Sequence, residues 1–134
     1  MSDPRPTAKR SKRGRLTRSA DFERVFRRGR SFGNRYLVLH LFPRSGPDEA
    51  REPRIGLSVS RRVGGAVDRN LVKRLLREAF AVEAERFPTS VDVVIVARPD
   101  ARELAEREGL AGIAPALAEI VEKALAALAS EDAR

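Results

Sequence analysis

The sequence predicts a single domain of the α+β class, and three observations carry that prediction. Residues 35–42 and 54–60 alternate their apolar side chains at the period of two that marks a strand with one covered face. Residues 91–97 (VDVVIVA) are apolar almost throughout, as in a central strand covered on both faces. Two longer segments, 68–86 and 113–129, repeat their apolar residues at the helical period instead. A chain of 134 residues is the size of one such domain. We place it at 16–129, between a basic arm, 1–15, and a short tail, 130–134.

Residues 1–15 (MSDPRPTAKRSKRGR) carry six Lys or Arg, two Pro and almost nothing apolar. Such a segment cannot bury enough surface to offset its ordering entropy. It reads as a solvated tail or as a flexible arm that orders on nucleic acid. Residues 19–28 (SADFERVFRR) read as a short helix: Ser19 can cap it, Asp21 complements its dipole and Gly29 stops it. Phe22, Val25 and Phe26 share one face, away from Arg24, Arg27 and Arg28. On pattern alone the two rings are assigned to core packing. In 35–42 the alternation turns Leu37, Leu39 and Leu41 toward the core and sets Tyr36, Val38, His40 and Phe42 on the less buried face. A loop punctuated by Gly46 and Pro47 runs from 43 to 53. In 54–60, Ile55, Leu57 and Val59 point inward. Gly56, Ser58 and Ser60 point outward, leaving room for a ligand or a close neighbour.

A basic turn, 61–65 (RRVGG), leads into the helix 68–86, for which Asp68 is the expected N-cap. Successive residues at about 100° place Arg69, Asn70, Lys73, Arg74 and Arg77 within an arc of roughly 140°. Leu71, Val72, Leu75, Leu76 and Ala79 occupy the opposite side. Pro88 closes this element and Pro99 ends the strand 91–97. The acidic stretch 101–108 permits a helix, Gly109 and Gly112 interrupt it, and the last helix follows at 113–129. Its residues Ile113, Leu117, Ile120, Val121, Ala124, Leu125 and Leu128 should pack on the sheet.

Composition excludes several functions. Without cysteine there is no disulfide framework, zinc finger or thiol nucleophile, which fits a reducing cytoplasm. One histidine, His40, excludes a catalytic pair of imidazoles. No apolar stretch approaches the roughly 20 residues that span a bilayer. The basic N-terminus lacks a signal peptide's apolar middle, so neither a membrane partner nor export is expected. Charge is uneven: residues 1–80 hold 21 Lys and Arg against 8 Asp and Glu, whereas 81–134 hold 6 against 11. That asymmetry directs a polyanion to the first part of the chain. Arginine dominates, 23 of the 27 cations. Its planar fork suits phosphates and bases, although a GC-rich genome produces the same bias.

Catalysis by the chain itself finds no support. Ser58 and Ser60 lack any imidazole partner beyond His40, and Asp48, Glu49 and Glu52 show no metal-ligand spacing. Gly64 and Gly65 precede a helix, but the GxxxxGK[ST] and GxGxxG patterns are absent. Binding is better supported. Four cations without an interleaved acid on one helical face repel one another by a few tenths of a kcal/mol per pair, a cost that a polyanion removes. Five of the seven aromatic residues, Phe22, Phe26, Phe32, Tyr36 and Phe42, fall within 21 residues of the basic half. Rings flanked by arginine point to single-stranded RNA rather than duplex DNA. No helix-turn-helix, zinc-finger or basic-zipper pattern competes.

The run GLSVSRRVGGAVDRNLVKRLLREAF, 56–80, closely resembles the signature of the bacterial ribonuclease P protein component family. Within it, Ala66, Val67, Arg69, Asn70, Lys73, Arg74 and Arg77 are spaced as in that family's RNR motif, and DFERVFRRGRSFGNRYLVLH, 21–40, resembles its first helix and strand. The likeness extends over roughly 14–128. It implies four strands in a mixed sheet packed by helices, in the order αβββαβα. It also implies a left-handed crossover, against the usual right-handed rule. The strand not separated by pattern is then expected in 54–60 or the adjoining loop.

For function, the resemblance implies a non-catalytic subunit of the endonuclease that removes the 5′ leader from precursor tRNA. The RNA subunit performs the cleavage with bound magnesium, and this chain binds no cofactor of its own. Arg61, Arg62, Arg69, Asn70, Lys73, Arg74 and Arg77 are implied to contact the RNA subunit. Phe22 and Phe26, with Tyr36 and His40 on the neighbouring strand, are implied to line a cleft for the single-stranded leader. The family commonly carries a hydroxylated aromatic residue where this chain has His40. A structural RNA-binding module such as a ribosomal protein is the alternative.

Overall fold

A computed structural model of the chain describes residues 19–43, 53–87 and 91–132. The arm 1–15 and nearly all of the loop 43–53 lie outside the described residues. The elements are α1 (Ser19–Arg28), β1 (Arg30–Gly33), β2 (Leu37–Pro43), β3 (Arg54–Ser58), α2 (Ala66–Glu83), β4 (Val91–Ala97), α3 (Asp100–Glu108) and α4 (Leu110–Asp132). A short 3-10 turn, Ala84–Arg86, extends α2. The described strands pair in the order β1-β2-β4-β3. β2 is antiparallel to β1 and to β4, whereas β3 and β4 run parallel with α2 as the crossover between them. The expected single α+β domain with a four-stranded mixed sheet is what forms.

β4 lies between β2 and β3, which is why its sequence is apolar on both faces. Its register opposes Leu39 to Ile95 and Leu41 to Val93. On that face Leu37, Leu39, Leu41, Val93 and Ile95 are fully buried with Val72 and Leu76 of α2 and Ile113, Leu117 and Ile120 of α4. Each such side chain contributes about 1.5–3 kcal/mol. On the opposite face α1 covers a much smaller cluster, in which Val25 and Val94 are buried and Phe22, Phe42 and Val96 pack partly against them. One face of the sheet is thus closed by two long helices, and the other is only partly roofed.

Several boundaries differ from the sequence-based expectation. The unseparated strand is β1, upstream of the first predicted strand rather than in or beside 54–60. It is an edge strand with only Phe32 half-buried, so its four residues carry no period to detect. It begins at once after α1 because Gly29 has no side chain: a Cβ there would lie 2.6 Å from the Leu41 carbonyl oxygen. Tyr36 falls in the β1–β2 turn, not on the strand face with His40, and packs against the main core instead.

The helical boundaries shift for similar reasons. Gly65, not Asp68, is the N-cap of α2, since the Arg69 amide already donates to the Gly65 carbonyl at 2.9 Å. The acidic stretch forms α3, which ends at Gly109 with φ of 59°, a conformation that favours glycine. α4 starts at Leu110 and continues to Asp132, so Gly112 and Pro115 lie inside it. Gly112 is tolerated because a Cβ would stand 2.8 Å from Leu104 Cδ1, closer than the α3–α4 packing allows.

Candidate RNA-binding surfaces

On the partly roofed face, α1 carries its apolar stripe obliquely. Val25 points into the sheet and is fully buried, while Phe26, the next residue, is 42% exposed. The Phe26 ring meets the His40 imidazole edge to face at 4.8 Å, and Phe22 lies 6.3 Å from Phe26. His40 pairs in register with Ser31 on β1 and Val94 on β4, so this aromatic row sits over the middle of the sheet. Burial alone lowers the His40 pKa below its ordinary 6.5, leaving a neutral ring at physiological pH. The core-packing assignment from pattern holds only in part for Phe22 and fails for Phe26. These three residues come together, and Tyr36 does not join them.

Below them an ion network fixes α1 to the sheet. Asp92, fully buried in β4, accepts from Arg54 Nε at 2.8 Å and from Arg54 Nη2 at 2.9 Å. Arg24 of α1 adds a third contact at 3.2 Å and lays its guanidinium 5.5 Å above the Phe42 ring. A buried carboxylate needs such partners, because an unpaired one costs several kcal/mol. Arg24 keeps 35% of its side-chain surface exposed at the rim of this group. Sequence reasoning missed this group. Its one available signal was a lone acid inside an apolar strand.

The second surface is the outer side of α2. Val72, Leu75, Leu76, Ala79 and Phe80 face the core, so the 69/70/73/74/77 stripe faces away from it. Asn70 and Arg74 are exposed, and Arg69, Lys73 and Arg77 are half-exposed. Arg74 reaches Glu78 at 3.6 Å, but both groups are largely solvated and such a pair contributes less than about 1 kcal/mol. Arg61 and Arg62 stand exposed on the turn before the helix, whose shape is held by the Val63 amide donating to the Ser60 carbonyl at 3.0 Å. The stripe therefore lies on the side of α2 away from the core, with Arg74 only loosely paired.

The comparisons give these surfaces a family. A ribonuclease P family model matches residues 11–121. The chain belongs to the ribonuclease P protein family. Ribonuclease P protein components from Bacillus pumilus and Shouchella clausii are 39% and 42% identical to it over 97 residues, 72% of this chain and 79% and 77% of theirs. The RNase P protein of Staphylococcus aureus superposes with a TM-score of 0.70 at 31% identity, covering 83% of this chain and 94% of that one. That of Thermotoga maritima gives 0.69 at 28%, covering 81% and 96%.

Membership makes this chain the protein component of ribonuclease P, a subunit of a tRNA-processing endoribonuclease and a partner of its RNA. The ribosomal-protein alternative is set aside. No helix among the described residues is long and apolar enough to cross a membrane.

Proposed function

We propose that this ribonuclease P protein holds the single-stranded 5′ leader of precursor tRNA on the α1 face, while the α2 stripe and Arg61/Arg62 dock on the RNA subunit. The observation that carries the reading is the Phe26 ring, open to solvent yet fixed edge-on against His40 on a helix whose last turn is basic. Bases stacked on such rings gain about 1–3 kcal/mol each. Arg27 and Arg28, in the last turn of the same helix, supply positive charge for the backbone phosphates. Both effects act on a leader and are absent for mature tRNA, so the subunit favours substrate over product. The α2 cations act differently, by releasing counterions from folded RNA, with log affinity falling linearly in log salt. Magnesium bound by the RNA subunit supplies the hydrolytic chemistry. The chain contributes no cofactor, works in the cytoplasm and engages neither DNA nor membrane.

The test is reconstitution with the cognate RNA at low magnesium, comparing affinities for precursor and mature tRNA with and without the protein. Preferential tightening on the precursor supports the reading. Equal tightening on both substrates overturns the leader-binding role.

A further inference from the structure

We infer that the β1–β2 hairpin tip is a third RNA-contact surface, which takes a single-stranded segment by stacking and phosphate pairing. β1 is an outer strand of the sheet, and its exposed residues lie at one edge. Along this edge the Arg30 guanidinium, at the end of β1 away from the turn, lies 5.8 Å over the Phe32 ring, and at the turn the Arg35 guanidinium lies 5.5 Å over Tyr36. Both rings are half-buried against the main core, on the side of the sheet opposite α1. The tip is thus separate from the Phe22/Phe26 groove. Each ring is backed by protein and capped by a planar cation, on which a base can stack in turn.

Charge favours RNA over a protein partner. Arg98, exposed, follows β4 here and its amide donates to the Tyr36 carbonyl at 2.8 Å; Lys123 Nζ donates to the Gly33 carbonyl at 3.2 Å. Of the carboxylates near the tip, Asp100 is paired with Arg35 at 2.8 Å and Glu103 with Arg107 at 3.5 Å, while Glu119 accepts from the Asn34 amide at 2.8 Å and keeps its charge. The surface is also rigid. Asn34 accepts from the Tyr36 and Leu37 amides, both at 2.9 Å, and donates to the Ala116 carbonyl of α4 at 2.9 Å. Ordering cost on binding is therefore small. Neither the groove nor the α2 stripe uses these residues, so the surface stands whether or not the leader-binding reading holds.

The chain has no tryptophan, so Phe32→Trp places a single reporter at the tip. In a Phe22→Ala/Phe26→Ala background, which removes the groove, a 12-nucleotide oligouridylate is expected to quench its emission saturably. Adding Arg30→Ala and Arg35→Ala is expected to lower the salt slope of binding by about 1.4, at about 0.7 per cation on single strands. A Tyr36→Trp reporter repeats the measurement should the first variant fold poorly. Unchanged emission at oligomer concentrations that saturate the unaltered chain overturns the inference, as does a slope indifferent to the two arginines. With the holoenzyme, quenching on adding the RNA subunit assigns the segment to that RNA, and quenching only on adding precursor tRNA assigns it to the substrate. Quenching at neither step overturns it.

Discussion

The Phe26 ring stands perpendicular to the His40 imidazole, 4.8 Å between centroids, and the imidazole is half-buried beneath it. That contact desolvates a titratable group, which disfavours its charged form. The folded-state pKa is depressed relative to the unfolded 6.5. Below pH 6.5 the unfolded chain therefore binds more protons, and the contribution of His40 to stability is lost as pH falls through the folded pKa. A proton NMR titration of the His40 ring should show a midpoint below 6.5, and Phe26→Ala should move it back upward. A midpoint at or above 6.5 in the unaltered chain contradicts the desolvated contact.

Replacing Phe22 by Ala should narrow the ratio of precursor to mature tRNA affinity by the equivalent of about 1–3 kcal/mol for one stacked base. Association with the RNA subunit should stay nearly unchanged, because Phe22 lies on the face of the sheet opposite α2. Gel-shift titrations with both tRNAs and with the RNA subunit check this. Equal losses on precursor and mature tRNA count against the groove.

The double change of Arg69 and Arg74 to Ala should weaken RNA-subunit binding and reduce the salt slope by about one unit per lost phosphate contact. Arg74 is exposed and Arg69 half-exposed on the side of α2 away from the core, so thermal stability should change little. Binding measured at several salt concentrations separates this from unfolding. An unaltered slope would falsify the docking role of the stripe.

Asp92→Ala removes the shared partner of Arg24 and Arg54. Breaking a buried ion pair typically costs about 3–5 kcal/mol. Because Arg24 and Arg54 keep 35% and 25% of their side-chain surface exposed, the loss should fall toward or below the low end of that range. Urea denaturation measures it. The same variant should loosen α1, which otherwise rests on the small Val25–Val94 cluster, and so weaken leader binding more than RNA-subunit binding.

Much of the fold was legible because its signals are local. The leucine alternation of β2 and the two-sided periodicity of α2 each lie within one element: Leu37, Leu39 and Leu41 are buried as expected, and so are Val72, Leu75, Leu76 and Ala79, although Leu71 is only half-buried and Phe80 joins the buried face. β1 was not legible, since a four-residue edge strand exists only through its pairing with β2. The α2 half of the candidate site could be named from spacing, because residues at helical intervals necessarily share a face. The groove could not be resolved that way. Periodicity places Phe22, Val25 and Phe26 together, but only the packing of α1 on β2 and β4 decides that Val25 is buried and Phe26 open.

By itself the sequence determined that a cationic helical stripe and a leucine-lined sheet would form, because neighbours in the chain impose those patterns. Only the tertiary structure decided that Asp92 would sit beneath Arg24 and Arg54, residues 68 and 38 positions away, and that Tyr36 would turn from His40 toward the opposite layer. Those outcomes depend on strand register and helix docking, which are set by burial and charge compensation between distant segments and leave no period in any one of them.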